Sequence, residues 1–258
     1  VHARPTLRRE SSIILTNPDM LHTGILPHHT AWKDFFNALS FIVIDEMHTY
    51  RGVFGSHVAN VLRRLKRVCR FYGAQPQFIL TSATIANPKD LAERLIENPV
   101  TVIDQDGSPH GERHFLIYNP PFIDQKLGIR QSSLMEGTSL AGELIDEDIQ
   151  TIIFGRTRRA IELLLTYLRQ RNPDADPLRL RGYRSGYLPR ERRAIEDGLR
   201  SGEVKAVVAT NALELGIDIG GMDAAVLIGY PGSIAATLQQ AGRAGRKLAP
   251  SLAVMITA

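Results

Sequence analysis

The hydrophobic pattern along the chain alternates between short apolar runs and longer stretches with helical periodicity. Five runs are rich in β-branched residues and lack polar alternation, at residues 41–44, 78–80, 151–154, 206–209 and 225–228. Such runs are typical of strands buried on both faces of a parallel sheet. Apolar positions at residues 58–68 and 161–168, and the pattern at 192–199, predict helices. The alternation predicts an α/β fold with right-handed crossovers, while residues 123–139 have weak periodicity and carry no assignment.

A polar segment rich in turn formers divides this pattern near the middle of the chain. Residues 105–111 contain two glycines, a proline and a serine, a composition typical of connections. Before it, residues 101–103 predict the last strand of a first domain. After it, residues 115–118 predict the first strand of a second. We therefore predict domains at residues 1–104 and 112–258, joined by that linker.

Composition narrows the class of protein only a little. The 31 Lys and Arg residues exceed the 27 Asp and Glu residues, and the net charge of +4 suits a polyanionic partner without requiring one. No apolar run approaches the roughly 18 residues of a membrane-spanning helix, and the arginine-rich start lacks the apolar region of a signal peptide. A single cysteine, Cys69, excludes an internal disulfide or a multi-cysteine zinc site in this sequence. We expect a cytoplasmic protein with no membrane partner.

Two adjacent carboxylates follow the run at residues 41–44, and a histidine comes two residues later. Asp45 and Glu46 at a strand end could divide labour, because one carboxylate can hold Mg²⁺ while the other orients or deprotonates water. An Asp-Glu pair alone is also common in solvated turns, but its place after a buried strand and before His48 favours catalysis. Residues 82–84, Ser-Ala-Thr, end the next strand, where they could equally cap a helix.

An arginine-containing segment near the carboxyl end is the second strong signal. Residues 239–246 have the sequence Gln-Gln-Ala-Gly-Arg-Ala-Gly-Arg. If the segment is helical, Arg243 and Arg246 share one face, and their guanidinium groups suit the charge of a phosphoryl transition state. The alternative is the solvated basic end of a helix.

The order of these motifs resembles that of superfamily 2 helicases with an Asp-Glu-x-His box. The resemblance is carried by residues 16–22, 45–48, 82–84, 153–158, 183–187, 210–218 and 239–246. Residues 45–58 are similar, more specifically, to bacterial and fungal DNA-repair helicases with a cysteine-rich, zinc-binding C-terminal region. The resemblance implies two RecA-like lobes, ATP and Mg²⁺ as cofactors, DNA as partner, and 3′ to 5′ translocation.

The resemblance also implies roles for individual residues on both lobes. It implies that Asp45 holds Mg²⁺, that Glu46 is the base that activates water, and that His48 and Gln240 couple the lobes across the nucleotide. The other residues implied at the nucleotide are the arginine fingers Arg243 and Arg246, and Gly216 and Asp218 near the ribose and phosphates. Those implied to link this site to the nucleic acid are Ser82 and Thr84. Those implied to contact the nucleic-acid backbone are Thr16, Asn17, Thr157, Arg158 and Thr210.

Several of these roles have an ordinary structural alternative. Hydroxyl and amide side chains cap helices in every class of protein, so the backbone-contact residues could be caps. The basic positions among residues 63–70 could be a DNA surface or a solvated helix face.

One departure from the family concerns the phosphate-binding loop. Helicases of this superfamily carry Gly-x-x-x-x-Gly-Lys followed by Thr or Ser, whose amides cradle the phosphates. No Gly-Lys dipeptide occurs in this sequence. We therefore expect an internal piece of a longer protein that is inactive on its own, containing the latter part of a first RecA-like domain and most of a second. An RNA helicase and a non-catalytic nucleic-acid-binding module remain alternatives, although the intact Glu46, Arg243 and Arg246 disfavour the latter.

Overall fold

The chain, in a computed structural model, divides into two compact units, Val1–Gln105 and Asp106–Ala258. The structure describes residues 10–83, 85–105, 107, 109, 111–171, 176, 178–184, 186–210, 221–245 and 248–257. The division falls inside the segment that the sequence predicts as a linker. Each unit has its own apolar core.

The first unit contains a two-stranded parallel sheet and the helices that pack on it. Strand β1 (Phe41–Ile44) pairs with β2 (Gln77–Leu80), so that Ile44 lies opposite Leu80. The helical segments are α1 (Pro18–Met20), a π-helical turn (Leu21–Ile25), a 3-10 segment (Leu26–Trp32), α2 (Lys33–Ala38), a 3-10 turn (Met47–Thr49), α3 (Gly52–Phe71) and α4 (Pro88–Ile96).

Helix α3 connects the two strands, and its apolar face forms much of the core of the first unit. The buried positions keep helical spacing, which confirms the helix predicted there: Val58, Val61, Leu62, Leu65 and Cys69. The basic positions lie on other faces. Arg63 pairs with Glu97 at 2.7 Å, and Lys66 donates to the Ile96 carbonyl at 2.6 Å. Part of the basic face therefore ties α3 to the end of α4.

Two predictions for the first unit are wrong. Strands β1 and β2 are not buried on both faces, since Phe41 and Val43 are 58% and 62% exposed while Ile44 is buried. The reason is that the helices of the described residues cover one face of this sheet. Residues 101–103 form no strand, and Ile103 is 91% exposed. A β-branched run favours extended backbone, but a strand needs a neighbouring strand to satisfy its amides, and none of the described strands pairs with this run.

The described residues of the second unit form a six-stranded parallel sheet and a separate antiparallel hairpin. The strands of the large sheet are β3 (Arg113–Tyr118), β6 (Thr151–Phe154), β7 (Leu180–Tyr183), β8 (Ala206–Ala209), β9 (Ala224–Ile228) and β10 (Ser251–Ile256). Their order across the sheet is β3-β10-β9-β6-β8-β7. The hairpin strands are β4 (Phe122–Asp124) and β5 (Ile129–Arg130). The helices are α5 (Ser133–Asp146), α6 (Arg158–Arg171), α7 (Pro189–Ser201) and α8 (Ile234–Ala241).

Strands β6, β8 and β9 are buried at every position, which confirms the prediction of double-sided burial for these runs. The unassigned residues 123–139 contain most of the hairpin and the start of α5. In the hairpin, the Arg130 guanidinium makes a cation–π contact, 3.6 Å from the centre of the Phe122 ring. A contact of this kind leaves no periodic pattern in the sequence. The predicted α/β class with parallel sheets is confirmed. Among the described helices, none has the length and apolar character needed to cross a bilayer.

Candidate functional site

The carboxylate pair lies in a tight turn at the carboxyl end of β1. Asp45 is exposed, and Glu46 is partly buried with left-handed backbone angles, φ 52° and ψ 41°. That conformation costs free energy for a residue with a Cβ, so the surrounding bonds must hold it. The Glu46 N–H donates to Asp45 Oδ1 at 2.9 Å, and Thr49 Oγ1 donates to the Glu46 carbonyl at 2.8 Å. The turn thus holds both carboxylates just beyond the sheet.

The segment after β2 is bonded to this turn. The Met47 N–H donates to the Thr81 carbonyl at 3.0 Å, and the Thr81 N–H donates to the Ile44 carbonyl at 2.9 Å. The Thr81 hydroxyl also donates to Asp45 Oδ1. Because β1 and β2 are parallel neighbours, their carboxyl ends meet at the edge where α/β sheets receive ligands. The structure therefore brings the Asp-Glu-x-His and Ser-Ala-Thr segments together.

His48 lies between the carboxylate pair and the backbone that follows β2. It is 8% exposed, and its Nδ1 accepts the Ala83 N–H at 3.2 Å while lying 3.3 Å from Glu46 Oε2. Accepting from Ala83 requires an unprotonated Nδ1, whereas donating to Glu46 requires a proton there. The two contacts consequently belong to different protonation states of the ring. His48 Nδ1 can therefore bond either Glu46 or the segment after β2, but not both at the same time.

Asp45 has the chemistry of a magnesium ligand. Its Oδ1 accepts from the Glu46 N–H and from the Thr81 hydroxyl. Its Oδ2 accepts no hydrogen bond from any residue that the structure describes, and the side chain is exposed. Mg²⁺ is usually held by one or two carboxylates, with phosphate oxygens and water as the remaining ligands. Asp45 therefore fits a magnesium ion that arrives with a nucleotide.

The residues that extend the Asp-Glu-x-His box form the start of α3. Gly52 has φ 57°, and a Cβ on Gly55 would clash with the Tyr50 carbonyl oxygen. Glycine at both positions lets the helix begin directly beside the carboxylate turn. Burial, and to a lesser degree the charge of Asp45, raise the pKa of Tyr50 above its usual range. The two glycines in this extension of the box therefore have a local steric cause.

Two predicted nucleic-acid contacts in the first unit have local partners. Asn17 caps α1, since its Oδ1 accepts the Met20 N–H at 2.8 Å. The Thr16 hydroxyl donates to the Asn17 carbonyl at 3.4 Å. Ser82, predicted as a coupling residue, donates through Oγ to the Ala83 carbonyl at 2.8 Å. Capping accounts for Asn17 within the fold, while the predicted contacts with nucleic acid stay predictions.

In the second unit, three predicted backbone-contact residues lie at the carboxyl ends of β6 and β8. These strands are parallel neighbours, so Thr157, Arg158 and Thr210 follow strands that end at one edge of the sheet. Thr157 precedes α6, and its Oγ1 accepts the Ala160 N–H at 3.1 Å, as a helix cap does. Arg158 is the first residue of α6 and is exposed. The edge therefore presents a guanidinium beside a hydroxyl that is already used as a cap.

The segment of Arg243 leaves its helix before the arginine. Helix α8 ends at Ala241, so the helical condition for a shared face of the two arginines is not met at Arg243. The Arg243 carbonyl accepts the Met222 N–H at 2.9 Å, and the Gly245 N–H donates to the Met222 carbonyl at 2.8 Å. Gly245 has φ 130°, a value that suits glycine. The chain therefore leaves the helix, and its backbone is hydrogen-bonded to Met222. Arg243 is half-buried.

The remaining predicted site residues are either buried on a helix or outside the described residues. Gln240 is on α8 and is 7% exposed. The predicted residues Thr84, Gly216, Asp218 and Arg246 lie outside the described residues. In the other direction, Thr81 contacts Asp45 although the sequence predicts no role for it. A hydroxyl directly after the strand is the only signal that the sequence offers for that contact.

The sequence matches the DEAD/DEAH box helicase family over residues 2–91 and the helicase conserved C-terminal domain over residues 137–247. The chain therefore carries a DEAD/DEAH box helicase segment followed by a helicase conserved C-terminal domain. The first match contains the bonded segments after β1 and β2. The second contains strands β6, β8 and β9 and the segment of Arg243. The two units of the helicase chain are accordingly RecA-like lobes, as the sequence predicts.

Relatives of the helicase chain are similar along almost all of its length. It is 54% identical over 98% of its residues to the "uncharacterized ATP-dependent helicase YprA" of Bacillus subtilis, and 42% identical over 98% to the "ATP-dependent helicase HRQ1" of Saccharomyces cerevisiae. The crystal structure of the DUF1998 helicase MrfA bound to DNA and AMPPNP is 54% identical over 99% of this chain, with a TM-score of 0.93. The helicase chain spans 34% of the length of YprA, 24% of HRQ1 and 36% of the MrfA chain.

Proposed function

We propose that the chain is the motor-core segment of an ATP-dependent DNA helicase that moves 3′ to 5′ along DNA and separates its strands. The observation that carries the proposal is the hydrogen-bonded junction of the segments after β1 and β2. That junction holds a candidate metal ligand, Asp45, beside a candidate base, Glu46. It also contains His48, whose Nδ1 can contact either Glu46 or the Ala83 N–H. Hydrolysis of a nucleoside triphosphate requires a metal ligand and a base. A motor also requires a contact, such as that of His48, between these groups and the segment after β2.

The side chains at this junction divide the work. Bound Mg²⁺ would neutralise charge on the phosphates, and Asp45 would hold it through Oδ2 or through water. Glu46 would orient the attacking water and accept its proton, which its held backbone conformation favours. The contacts of His48 would depend on the state of Glu46, because the ring bonds either that carboxylate or the Ala83 N–H. In the second lobe, Arg243 and Arg246 would stabilise the charge that develops on the transferred phosphoryl group.

DNA is supported as the substrate by the relative MrfA, whose structure was solved with DNA and AMPPNP. In this chain, Thr157, Arg158 and Thr210 offer hydroxyls and a guanidinium at one sheet edge. Such groups bond phosphate oxygens without reading bases, and a translocating motor needs sequence-independent contacts of that kind. A role in DNA repair is part of the resemblance and stays a prediction.

Unwinding by the full-length protein tests the proposal directly. We expect ATP-dependent separation of a duplex with a 3′ single-stranded DNA tail, and little separation of the same duplex with a 5′ tail. The assay compares the two tails with ATP and with a non-hydrolysable analogue. Exclusive use of the 5′ tail would refute the polarity. Efficient unwinding that depends on a ribonucleotide tail, and is lost on 2′-deoxy substitution, would replace the proposal with an RNA helicase.

A second prediction concerns Arg158 and salt. If Arg158 neutralises one phosphate, Arg158→Ala should make the dependence of log K on log salt shallower by about 0.7 and should weaken all sequences about equally. The measurement is a titration of single-stranded DNA oligomers at several salt concentrations. Arg169 is a matched control, because it is exposed on the same helix eleven residues further on. A slope unchanged by Arg158→Ala, or changed equally by Arg169→Ala, would contradict the assignment.

A further inference from the structure

We propose that Thr81 is a positioning residue for the Asp45 carboxylate, and through it for the Mg²⁺ that accompanies the nucleotide. The inference rests on the proposed function, because it concerns the metal-holding side chain of that site. Thr81 directly follows β2 and precedes Ser82. It is the residue whose side chain reaches from one bonded segment to the carboxylate of the other.

The backbone of Thr81 is fixed relative to Asp45 without help from its side chain. Its N–H donates to the carbonyl of Ile44, one residue before Asp45, at 2.9 Å. Its carbonyl accepts the N–H of Met47, two residues after Asp45, at 3.0 Å. These bonds bracket Asp45 and continue the parallel pairing of β1 with β2. A substitution of the Thr81 side chain therefore leaves its backbone bonds in place.

The side-chain bond then selects one orientation of the Asp45 carboxylate. The Thr81 hydroxyl and the Glu46 N–H both donate to Oδ1, the latter at 2.9 Å. A carboxylate turns easily about its last torsion, since that torsion has broad wells. Two donors on one oxygen restrict the rotation and direct Oδ2 away from the junction. Oδ2, which no described residue bonds, is thereby prepared for a metal ion or its water before the ion arrives.

The chemistry explains why a hydroxyl is suited to this position. A hydrogen bond to an ionised carboxylate is stronger than one between neutral groups, and Thr81 supplies the donor without adding charge. A cation in its place would compete with the metal for Asp45. Thr81 is exposed, so removing its hydroxyl leaves no buried polar atom unsatisfied and no cavity. The proposed effect is therefore on metal affinity and not on folding.

Magnesium dependence of the full-length protein tests the proposal. We expect Thr81→Val, which keeps the shape but removes the donor, to raise the Mg²⁺ concentration for half-maximal ATP hydrolysis about tenfold. Affinity for a fluorescent ADP analogue should be unchanged in EDTA, while the gain in affinity on adding Mg²⁺ should shrink by a similar factor. Thr81→Ser keeps the donor and should match the wild type. Thr166→Val is the matched control, since Thr166 is exposed on α6 and donates to the Glu162 carbonyl.

Three results would overturn the proposal: an unaltered Mg²⁺ dependence in Thr81→Val, an equal loss of nucleotide affinity in EDTA, or a Thr81→Ser variant as impaired as Thr81→Val. Melting temperatures accompany each variant, and Thr81→Ala serves in place of Thr81→Val if the methyl group that replaces the hydroxyl lowers stability. Failure of the proposed function has a different signature, because wild-type protein would then show no ATP-dependent unwinding at any Mg²⁺ concentration. The metal-linked nucleotide binding can be measured in either case.

Discussion

Replacing Arg243 with alanine in the full-length protein should lower the rate of ATP hydrolysis by about three to five orders of magnitude. An arginine that reaches the transferred phosphoryl group stabilises charge which is largest in the transition state, so its loss acts on turnover more than on nucleotide binding. The structure also shows how the backbone of Arg243 is held in place. The Arg243 backbone is bonded to Met222, beside the second lobe's buried sheet, and not carried on a frayed helix end.

The measurement is single-turnover hydrolysis together with nucleotide affinity. Arg243→Lys keeps the charge but loses the planar fork, so it should recover only a small part of the rate. Arg94→Ala is the control, because Arg94 is an exposed arginine paired with Asp90 at 3.0 Å, an arrangement of little energetic value. Hydrolysis by Arg243→Ala at the wild-type rate would assign Arg243 to the structure of the turn.

The second large effect is expected at Glu46. Glu46→Gln should reduce hydrolysis by about two to four orders of magnitude, since the amide keeps the shape but cannot accept the proton of the attacking water. Nucleotide affinity should stay near that of the wild type, because Asp45 and its two hydrogen-bond donors are unchanged. Loss of nucleotide binding with normal single-turnover hydrolysis would contradict the role of a base.

Glu97 provides an unusually close control for this substitution. Glu97 lies in the same lobe and has the same backbone angles, φ 52° and ψ 41°, but it ends α4 and pairs with Arg63. Glu97→Gln thus makes the same chemical change at the same left-handed conformation, away from the carboxylate turn. We expect wild-type hydrolysis from it. The comparison separates the chemistry of Glu46 from any effect of altering a glutamate in a strained turn.

The sequence predicts the fold best where burial is symmetrical. Strands β6, β8 and β9 are covered on both faces, so their apolar runs have one interpretation. The pattern misleads at β1, where the same kind of run lies in a sheet covered on one face. It also misleads at residues 101–103, because propensity cannot show whether a partner strand is alongside. The hydrophobic pattern does not predict strand β7, because its sequence, Leu-Arg-Gly-Tyr, contains a charge and a glycine.

The candidate site divides in a similar way. Asp45, Glu46 and His48 are predictable from sequence, because their order after an apolar run is a local property. The contact of Thr81 with Asp45 is not local, since it depends on the parallel register that sets Ile44 opposite Leu80. The exit of Arg243 from its helix depends on the positive φ of Gly245 and on a bridge to Met222. Motif spacing carries no information about either.

The position of β10 in the second lobe has a consequence for synthesis on the ribosome. Among the described strands, β3 pairs with β10 alone, so that Arg113 lies opposite Ser251, and β10 separates β3 from β9. Strand β3 must therefore wait for β10 to be synthesised before its amides are paired. During translation its exposed apolar side chains and open backbone are available for wrong pairing with other nascent chains. The described sheet of this lobe is therefore complete only after β10 has been synthesised, and chaperones that cover extended apolar segments would act in that interval.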